Sequence, residues 1–288
     1  MIWSVSVDLD GLGCYAAIHG LSLRLDDEPA QRAVPEVAVQ RFCELFEALG
    51  VRATFFVIGR DAGIAPARLR AAAGAGHEIA SHSYAHDYAL SRRTREEIAQ
   101  DLALAERAIE DACGSRPRGF RAPGYTLSPE LLDAVRERAY VYDSSLLPSP
   151  PYYAAKAAAL AVYALRGRRS QSILGGLRQL FAPRGPHRRR GVRELPVATL
   201  PGLRAPVIGT TVLPFPWLAR RAFAGGHLNL ELHGIDALDA TDVPQEIAAA
   251  QPGLRMRAAE KLRRLRRVLE TLPGDHRTLE AAAIQLLP

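Results

Sequence analysis

The chain predicts an α/β fold in which a parallel sheet is covered by helices, and three observations carry that reading. Short apolar runs of strand character alternate with longer segments of helical periodicity along the chain. The first run, Ile2 to Val7, sets Trp3, Val5 and Val7 against alternating serines and delivers Asp8 and Asp10 at its C-terminal end. His77 to Ala80 reads as another short strand, with His82 and His86 just past its end. In a parallel α/β barrel all such ends share one rim, so groups about seventy residues apart in sequence can meet there.

Taken in order, strands are expected at 2–8, 52–58, 77–81, 118–122, 139–142, 194–199 and 227–233. Helices are expected over Val34 to Leu49, Pro66 to Ala75, Arg92 to Cys113 behind a Ser91 cap, Pro129 to Arg138 behind a Ser128 cap, and Leu254 to Leu272. The last sets Leu262, Leu265, Val268 and Leu269 beneath an arginine-rich outer face, the pattern of a solvated helix with one buried stripe. No repeat or long low-complexity segment interrupts the alternation. A chain of 288 residues that is 48% hydrophobic can bury a substantial core, and one barrel, a single domain over 1–288, is the simplest arrangement.

Composition excludes several classes. No apolar run reaches the eighteen residues of a membrane span, and the first residues enter a strand directly instead of a basic and apolar leader. The three cysteines, Cys14, Cys43 and Cys113, are odd in number and far apart, which argues against a disulfide framework. These features set the expectation of a cytoplasmic protein. Cys14 and His19 lie near the proposed rim, Cys14 as a small buried residue and His19 as either a substrate contact or a loop residue.

The chemistry concentrates in Ser81-His82-Ser83-Tyr84-Ala85-His86 together with Asp8-Leu9-Asp10. One carboxylate and two imidazoles hold a divalent metal through three protein ligands and leave a coordination position open for water, as a hydrolytic site needs. An HxxxH pair alone also describes two surface histidines on a helical turn. Its position beyond a strand end, opposite the aspartates, favours the metal.

These segments, with Arg121-Ala122-Pro123-Gly124-Tyr125 and Leu230-Glu231-Leu232-His233, resemble in order the motifs of the polysaccharide deacetylases of the NodB homology type, carbohydrate esterase family four. Thr54 to Gly59 and Gly76 to Ala80 look like that family's second and third strands. The resemblance covers about residues 1–145, thins over 146–225 and resumes at 226–236. It implies a distorted (β/α)7-type barrel and a metal-dependent hydrolase removing an N-acyl group, typically N-acetyl, from an amino sugar. It implies Asp8 as general base, Asp10, His82 and His86 as metal ligands, His233 as general acid and Arg121 as the arginine that positions Asp8. It further implies a backbone N–H of Gly124 facing the oxyanion, Tyr125 beside it, and Leu230 and Leu232 lining a pocket for the acyl methyl. The Asp-Leu-Asp spacing departs from the family's adjacent aspartates and is shared with its aminoarabinose deformylase and cyclic-imide or allantoin-type relatives. Tyr142-Asp143-Ser144-Ser145 is followed by Leu146-Leu147 where the family carries an Asp-Trp pair that tunes the acid, which leaves Asp143 and Asp236 as candidates for that task.

Zinc is the default metal for such a donor set, and cobalt, nickel, iron and manganese are also accepted by it. Two alternatives accompany the deacetylase: a cytosolic amidohydrolase of cyclic imides or ureides, and a catalytically silent barrel that binds carbohydrate in its groove.

The basic, family-divergent insertion at about 146–225 adds a separate expectation. Ser144 to Arg193 contains ten basic residues, Lys156 and nine arginines from Arg166 on, and no acidic one; with a net charge of +6 for the chain, the remainder carries +6 − 10 = −4. Tyr152 to Leu165 is rich in Ala, Leu, Val and Tyr, and Ile173 to Phe181 is amphipathic. Apolar and arginine-rich neighbours free of carboxylates suit a peripheral contact of 166–193 with an anionic membrane, or a grip on a diphosphate, and hence a lipid-linked or glycolipid precursor handled at the inner membrane face. An ordinary insertion in a chain with 35 Arg and two Lys is the competing reading. Without interleaved aromatics or a recognition motif, no nucleic acid partner is expected.

Overall fold

The computed structural model describes residues 1–23, 28–176 and 179–288; Arg178 and part of the amphipathic stretch at 173–181 lie outside them. The strands are β1 (Ile2–Asp8), β2 (Thr54–Val57), β3 (Glu78–Ser81), β4 (Gly119–Phe120), β5 (Tyr142–Asp143), β6 (His187–Arg189), β7 (Val192–Glu194), β8 (His227–His233) and β9 (Asp275–His276). They form one sheet in the order β6-β7-β5-β4-β3-β2-β1-β8, with β9 added beside the start of β1. Every pairing is parallel except β6 with β7. The sheet curls into a distorted (β/α)7-type barrel, as the sequence leads one to expect. Between β7 and β8 the closure is made by single bonds, Ala198 N donating to Asn229 O at 2.9 Å and Asn229 Nδ2 to Ser144 Oγ at 3.0 Å.

Strand alternation decides which residues reach the site. Trp3, Val5 and Val7 of β1 and Leu228, Leu230 and Leu232 of β8 pack together in the main apolar core under the helices. Their neighbours face the barrel interior: Ser6 Oγ donates to Asn229 Oδ1 at 2.9 Å, and Ser4 Oγ lies 3.0 Å from His227 Nε2. The β1–β8 register pairs Ser6 with Glu231 and Asp8 with His233. The serines of the first strand therefore line a polar interior whose rim ends in Asp8 and His233.

Several boundaries differ from the expected ones. The long helix runs from Arg95 to Cys113, because Thr94, not Ser91, forms a capping box with Glu97, and Leu90–Arg92 is a separate 3₁₀ turn. The helix expected to start at Val34 begins earlier, at Glu28–Arg32, passes through a π-helical stretch, Ala33–Ala38, containing Pro35, and continues as Val39–Ala48. Pro129–Glu137 is capped by Ser128 at the Leu131 amide, 3.2 Å. The strand expected at 194–199 is β7, ending at Glu194.

The divergent segment is partly integral to the barrel, since β7 pairs with β5 inside the sheet. Its opening part is a helix, Pro150–Leu165, capped by Ser149. Among the described residues no helix is long and apolar enough to cross a membrane.

Candidate active site

The strand ends bring the expected groups together. Asp10 Oδ1 lies 3.3 Å from both His82 Nε2 and His86 Nε2, and all three side chains are buried. His82 Nδ1 is within 2.8 Å of Arg121 O, which turns Nε2 toward the aspartate. Asp10 Oδ1 and both His86 ring nitrogens are buried without a hydrogen-bond partner. Convergent, unpartnered carboxylate and imidazole donors, whose ligand atoms lie within 4.8 Å of one another, fit a divalent cation.

The backbone is bent to achieve this. His82 to His86 is not helical: Ser83 (φ 62°) and His86 (φ 52°) adopt left-handed conformations that cost non-glycine residues energy. Three contacts hold the bend. His86 N donates to Ser83 Oγ at 3.0 Å, and the Asp101 carboxylate accepts Tyr84 N (2.8 Å) and Ala85 N (3.1 Å). Asp101 was not singled out in the sequence, since an acidic residue inside an amphipathic helix reads as solvated.

A second cluster lies beside the first. Arg121, fully buried, donates from Nη1 to Asp8 Oδ1 at 2.5 Å, from Nη2 to Ser6 Oγ and Ser144 Oγ at 3.0 and 2.9 Å, and from Nε to Ser144 O at 2.9 Å. Its guanidinium also stands 4.1 Å from the Phe56 ring centroid. Burial alone would raise the Asp8 carboxyl, but Arg121, with His82 and His233, holds it below its ordinary value. Asp8 is therefore an ionised carboxylate in a nearly dry setting.

Glu231 is the functional candidate that sequence reasoning passed over. It is fully buried and accepts Tyr125 Oη–H at 2.8 Å, with Arg121 Nη1 at 3.5 Å. Burial and the Asp8 carboxylate raise it to about 7 against the lowering effect of Arg121. Burial disfavours a charged His233, yet Glu231 first, then Asp8, Asp10 and Asp236, carry that imidazole up to about 9. Strict alternation in Leu230-Glu231-Leu232-His233 was the available signal, because a residue two before an inward histidine also points inward. Asp8, Glu231 and His233 could also group around a cation, but Arg121 already supplies positive charge and donors there. Asp10, His82 and His86 are therefore the group that could hold a metal ion.

Other expectations need correction. Leu232 and Leu230 do not line the pocket: alternation sends both to the helix-covered face, where they are fully buried in the core. Asp143 lies away from His233, bonded to Ser145 Oγ at 2.5 Å and linked to Glu194, whereas Asp236 Oδ2 accepts the His233 backbone N–H at 2.9 Å. His19 ends the helix Leu12–His19 and bridges Tyr163 Oη and Gln251 Oε1, each at 2.8 Å, so it is a strut between elements. Gly124 takes φ 62° in the turn Pro123–Tyr125, a conformation suited to glycine, and Gly124 and Tyr125 both line the pocket.

That pocket is a cavity of about 360 Å³ reaching Asp8, Asp10, His82 and His233, walled by Tyr15, Tyr88, Tyr152, Ile208 and Gly209. Gly209 is required by close approach, since a Cβ there would collide with the Asp236 carboxylate.

A curled parallel α/β barrel whose rim holds an Asp-His-His cluster beside an arginine-braced carboxylate defines a barrel with a candidate metal centre at the C-terminal ends of its strands. Residues 19–142 match the family model described as polysaccharide deacetylase, a little under half of the chain. It is 27% identical over 150 residues to a peptidoglycan deacetylase of Helicobacter pylori, covering 51% of this chain and 50% of that protein. A chitooligosaccharide deacetylase of Bradyrhizobium sp. is 34% identical over 112 residues, 38% of this chain and 48% of that one. The chain thus spans about half the length of these curated relatives. A solved Mycobacterium smegmatis protein, assigned as a polysaccharide deacetylase, shares the fold with a TM-score of 0.65 at 20% identity, over 99% of this chain and 89% of that one.

Proposed function

We propose that this protein is a metal-dependent hydrolase that removes an N-acetyl group from an amino sugar. The observation that carries the reading is the convergence of unpartnered Asp10 Oδ1 with the Nε2 atoms of His82 and His86, next to an Asp8 carboxylate kept ionised by Arg121. Similarity to deacetylases of peptidoglycan and chitooligosaccharide supports the substrate class.

Asp10, His82 and His86 would hold a divalent cation, which would supply Lewis acidity toward water and an acyl carbonyl. Asp8 is the base: one oxygen is held by Arg121, which leaves the other to accept the proton of an attacking water. His233, raised to about 9, is protonated at neutral pH and gives its proton to the departing amine. The turn Pro123–Tyr125 puts Gly124 on the pocket wall, where its backbone N–H is the candidate donor to the developing oxyanion. Tyr125, through Glu231, ties that turn to Arg121.

Zinc is the default metal. Lipid-linked substrate and contact with an anionic membrane extend the proposal, on a smaller surface than the sequence implies. Arg184 bonds Thr199, Arg188 bonds the carbonyl of Pro288, Arg190 pairs with Asp133 and Arg193 bonds Leu287 O. Exposed Arg166, Arg168 and Arg169 beside Leu165, 88% exposed, are the part that supports membrane contact. Flotation with anionic vesicles at low salt tests it; failure to float removes the membrane extension alone.

The main reading is tested by acetate release from N-acetylglucosamine oligomers before chelation, after it, and after zinc is restored. Loss and recovery support it. No acetate under any condition, or release indifferent to chelator, would overturn it.

A further inference from the structure

Lys156 is one of two lysines in a chain with 35 arginines, and both are placed with care. Lys261 is buried and donates to Ile235 O and Leu238 O at 3.0 and 2.6 Å. Lys156 instead points into the active-site cavity. On the helix Pro150–Leu165 it shares one face, at i, i+3, i+4 and i+7 spacing, with Tyr152, Ala155 and Ala159, and all four line the cavity. The helix is fixed over the site by Tyr163 Oη bonded to His19.

The ammonium is poorly compensated. Among the described residues its one hydrogen bond is a long one to Gly124 O, 3.4 Å, and it stands 5.9 Å from the Tyr152 ring centroid. No carboxylate pairs with it among the described residues, and burial pulls it down to about 8. Two hydroxyls in the same wall are also unsatisfied: Tyr15 Oη and Tyr88 Oη, on residues 5% and 6% exposed, have no hydrogen-bond partner. Buried donors without acceptors cost free energy in the empty pocket, and a polar ligand relieves that cost. The acidic groups Asp8, Asp10 and Asp236 act on His233, whereas Lys156 sits beside Gly124 with no carboxylate paired to it among the described residues.

We infer that the substrate carries an anionic oxygen substituent, a carboxylate or a phosphate, beside the acylated amine, and that Lys156 Nζ receives it while the hydroxyls of Tyr15 and Tyr88 bond the sugar. This rests on the deacetylase reading and narrows its substrate class. A compact ammonium serves a single anionic oxygen, where a planar guanidinium would demand two in register.

The test compares three probes with wild type, Lys156→Met and Lys156→Arg: tetra-N-acetylchitotetraose as the neutral sugar, N-acetylmuramic acid as the carboxylate and N-acetylglucosamine 1-phosphate as the phosphate. Wild type is expected to favour one anionic probe over the neutral one by roughly tenfold or more in kcat/KM, the scale of a charge-assisted hydrogen bond. Lys156→Met should collapse that ratio toward one, and Lys156→Arg should keep part of it. Which anionic probe responds distinguishes carboxylate from phosphate. A ratio near one in wild type, or an equal loss on all three probes in Lys156→Met, would overturn the inference and mark Lys156 as a structural prop for the Gly124 turn. If none of the probes releases acetate, the deacetylase reading fails, and calorimetric binding of the two anionic probes decides this inference separately. Binding weakened about tenfold in Lys156→Met upholds it, and absent or unchanged binding ends it.

Discussion

Arg121 Nη1 grips Asp8 Oδ1 at 2.5 Å while Asp8 Oδ2 stands 3.7 Å from His82 Nε2, so one carboxylate joins the guanidinium cluster to the imidazole cluster. Removing the arginine strands two buried carboxylates, Asp8 and Glu231. Arg121→Met should therefore cost about 3 to 5 kcal/mol of unfolding free energy, the usual result of breaking a buried pair from one side. Urea denaturation measures it. Adding Glu231→Gln to that variant should recover part of the loss, because one stranded charge is then gone.

Glu231→Gln alone keeps a partner for Tyr125 Oη but removes the carboxylate closest in influence to His233. The imidazole, about 9 in the parent, should then titrate at lower pH. Histidine NMR in metal-free protein reads this directly. An unmoved His233 titration would show that Glu231 has no electrostatic hold on the candidate acid.

Asp101 anchors the amides of Tyr84 and Ala85, and through them the left-handed bend that aims His86. Asp101→Ala should leave the barrel folded and weaken metal binding by about 10- to 100-fold, the range for residues that orient ligands. Competition with a chromogenic zinc chelator provides the measurement. Unchanged affinity would mean that the bend holds without the carboxylate.

His227 is buried against Ser4 in the lower barrel, and burial lowers it to about 3. Its unfolded value is about 6.5, so below that pH the unfolded chain binds a proton that the folded chain refuses. Stability should fall as pH drops from 6.5 toward 3, and this residue alone accounts for about 2 kcal/mol by pH 5. The slope of stability against pH should be shallower in His227→Gln than in the parent. Parallel curves would contradict the buried neutral imidazole.

How far the sequence could be read follows from these same residues. The strand that ends in Asp8 was legible because Trp3, Val5 and Val7 alternate with serines, and the barrel class followed from strand–helix alternation. The gathering of Asp10, His82 and His86 was anticipated from their places beyond strand ends, and the geometry brings them within a common ligand radius. Likeness to a motif puts Leu232 in the pocket, but the two-residue period of the strand decides its face and sends it to the core. Glu231 was missed for the same reason in reverse. The Arg95–Cys113 start was displaced by three residues because Ser91 and Thr94 are both good caps, and only the reciprocal bond with Glu97 separates them. In the sequence Lys156 is one charge in a basic run, because its direction depends on how the helix Pro150–Leu165 docks, a tertiary fact.

Elemental analysis and zinc titration of the purified protein, parent beside His82→Ala, address the metal centre with the least intervening inference. One equivalent of zinc bound by the parent and none held by the variant, with circular dichroism unchanged, is the expected result. Equal zinc in both proteins, or none in the parent at saturating metal, would contradict the assignment of Asp10, His82 and His86.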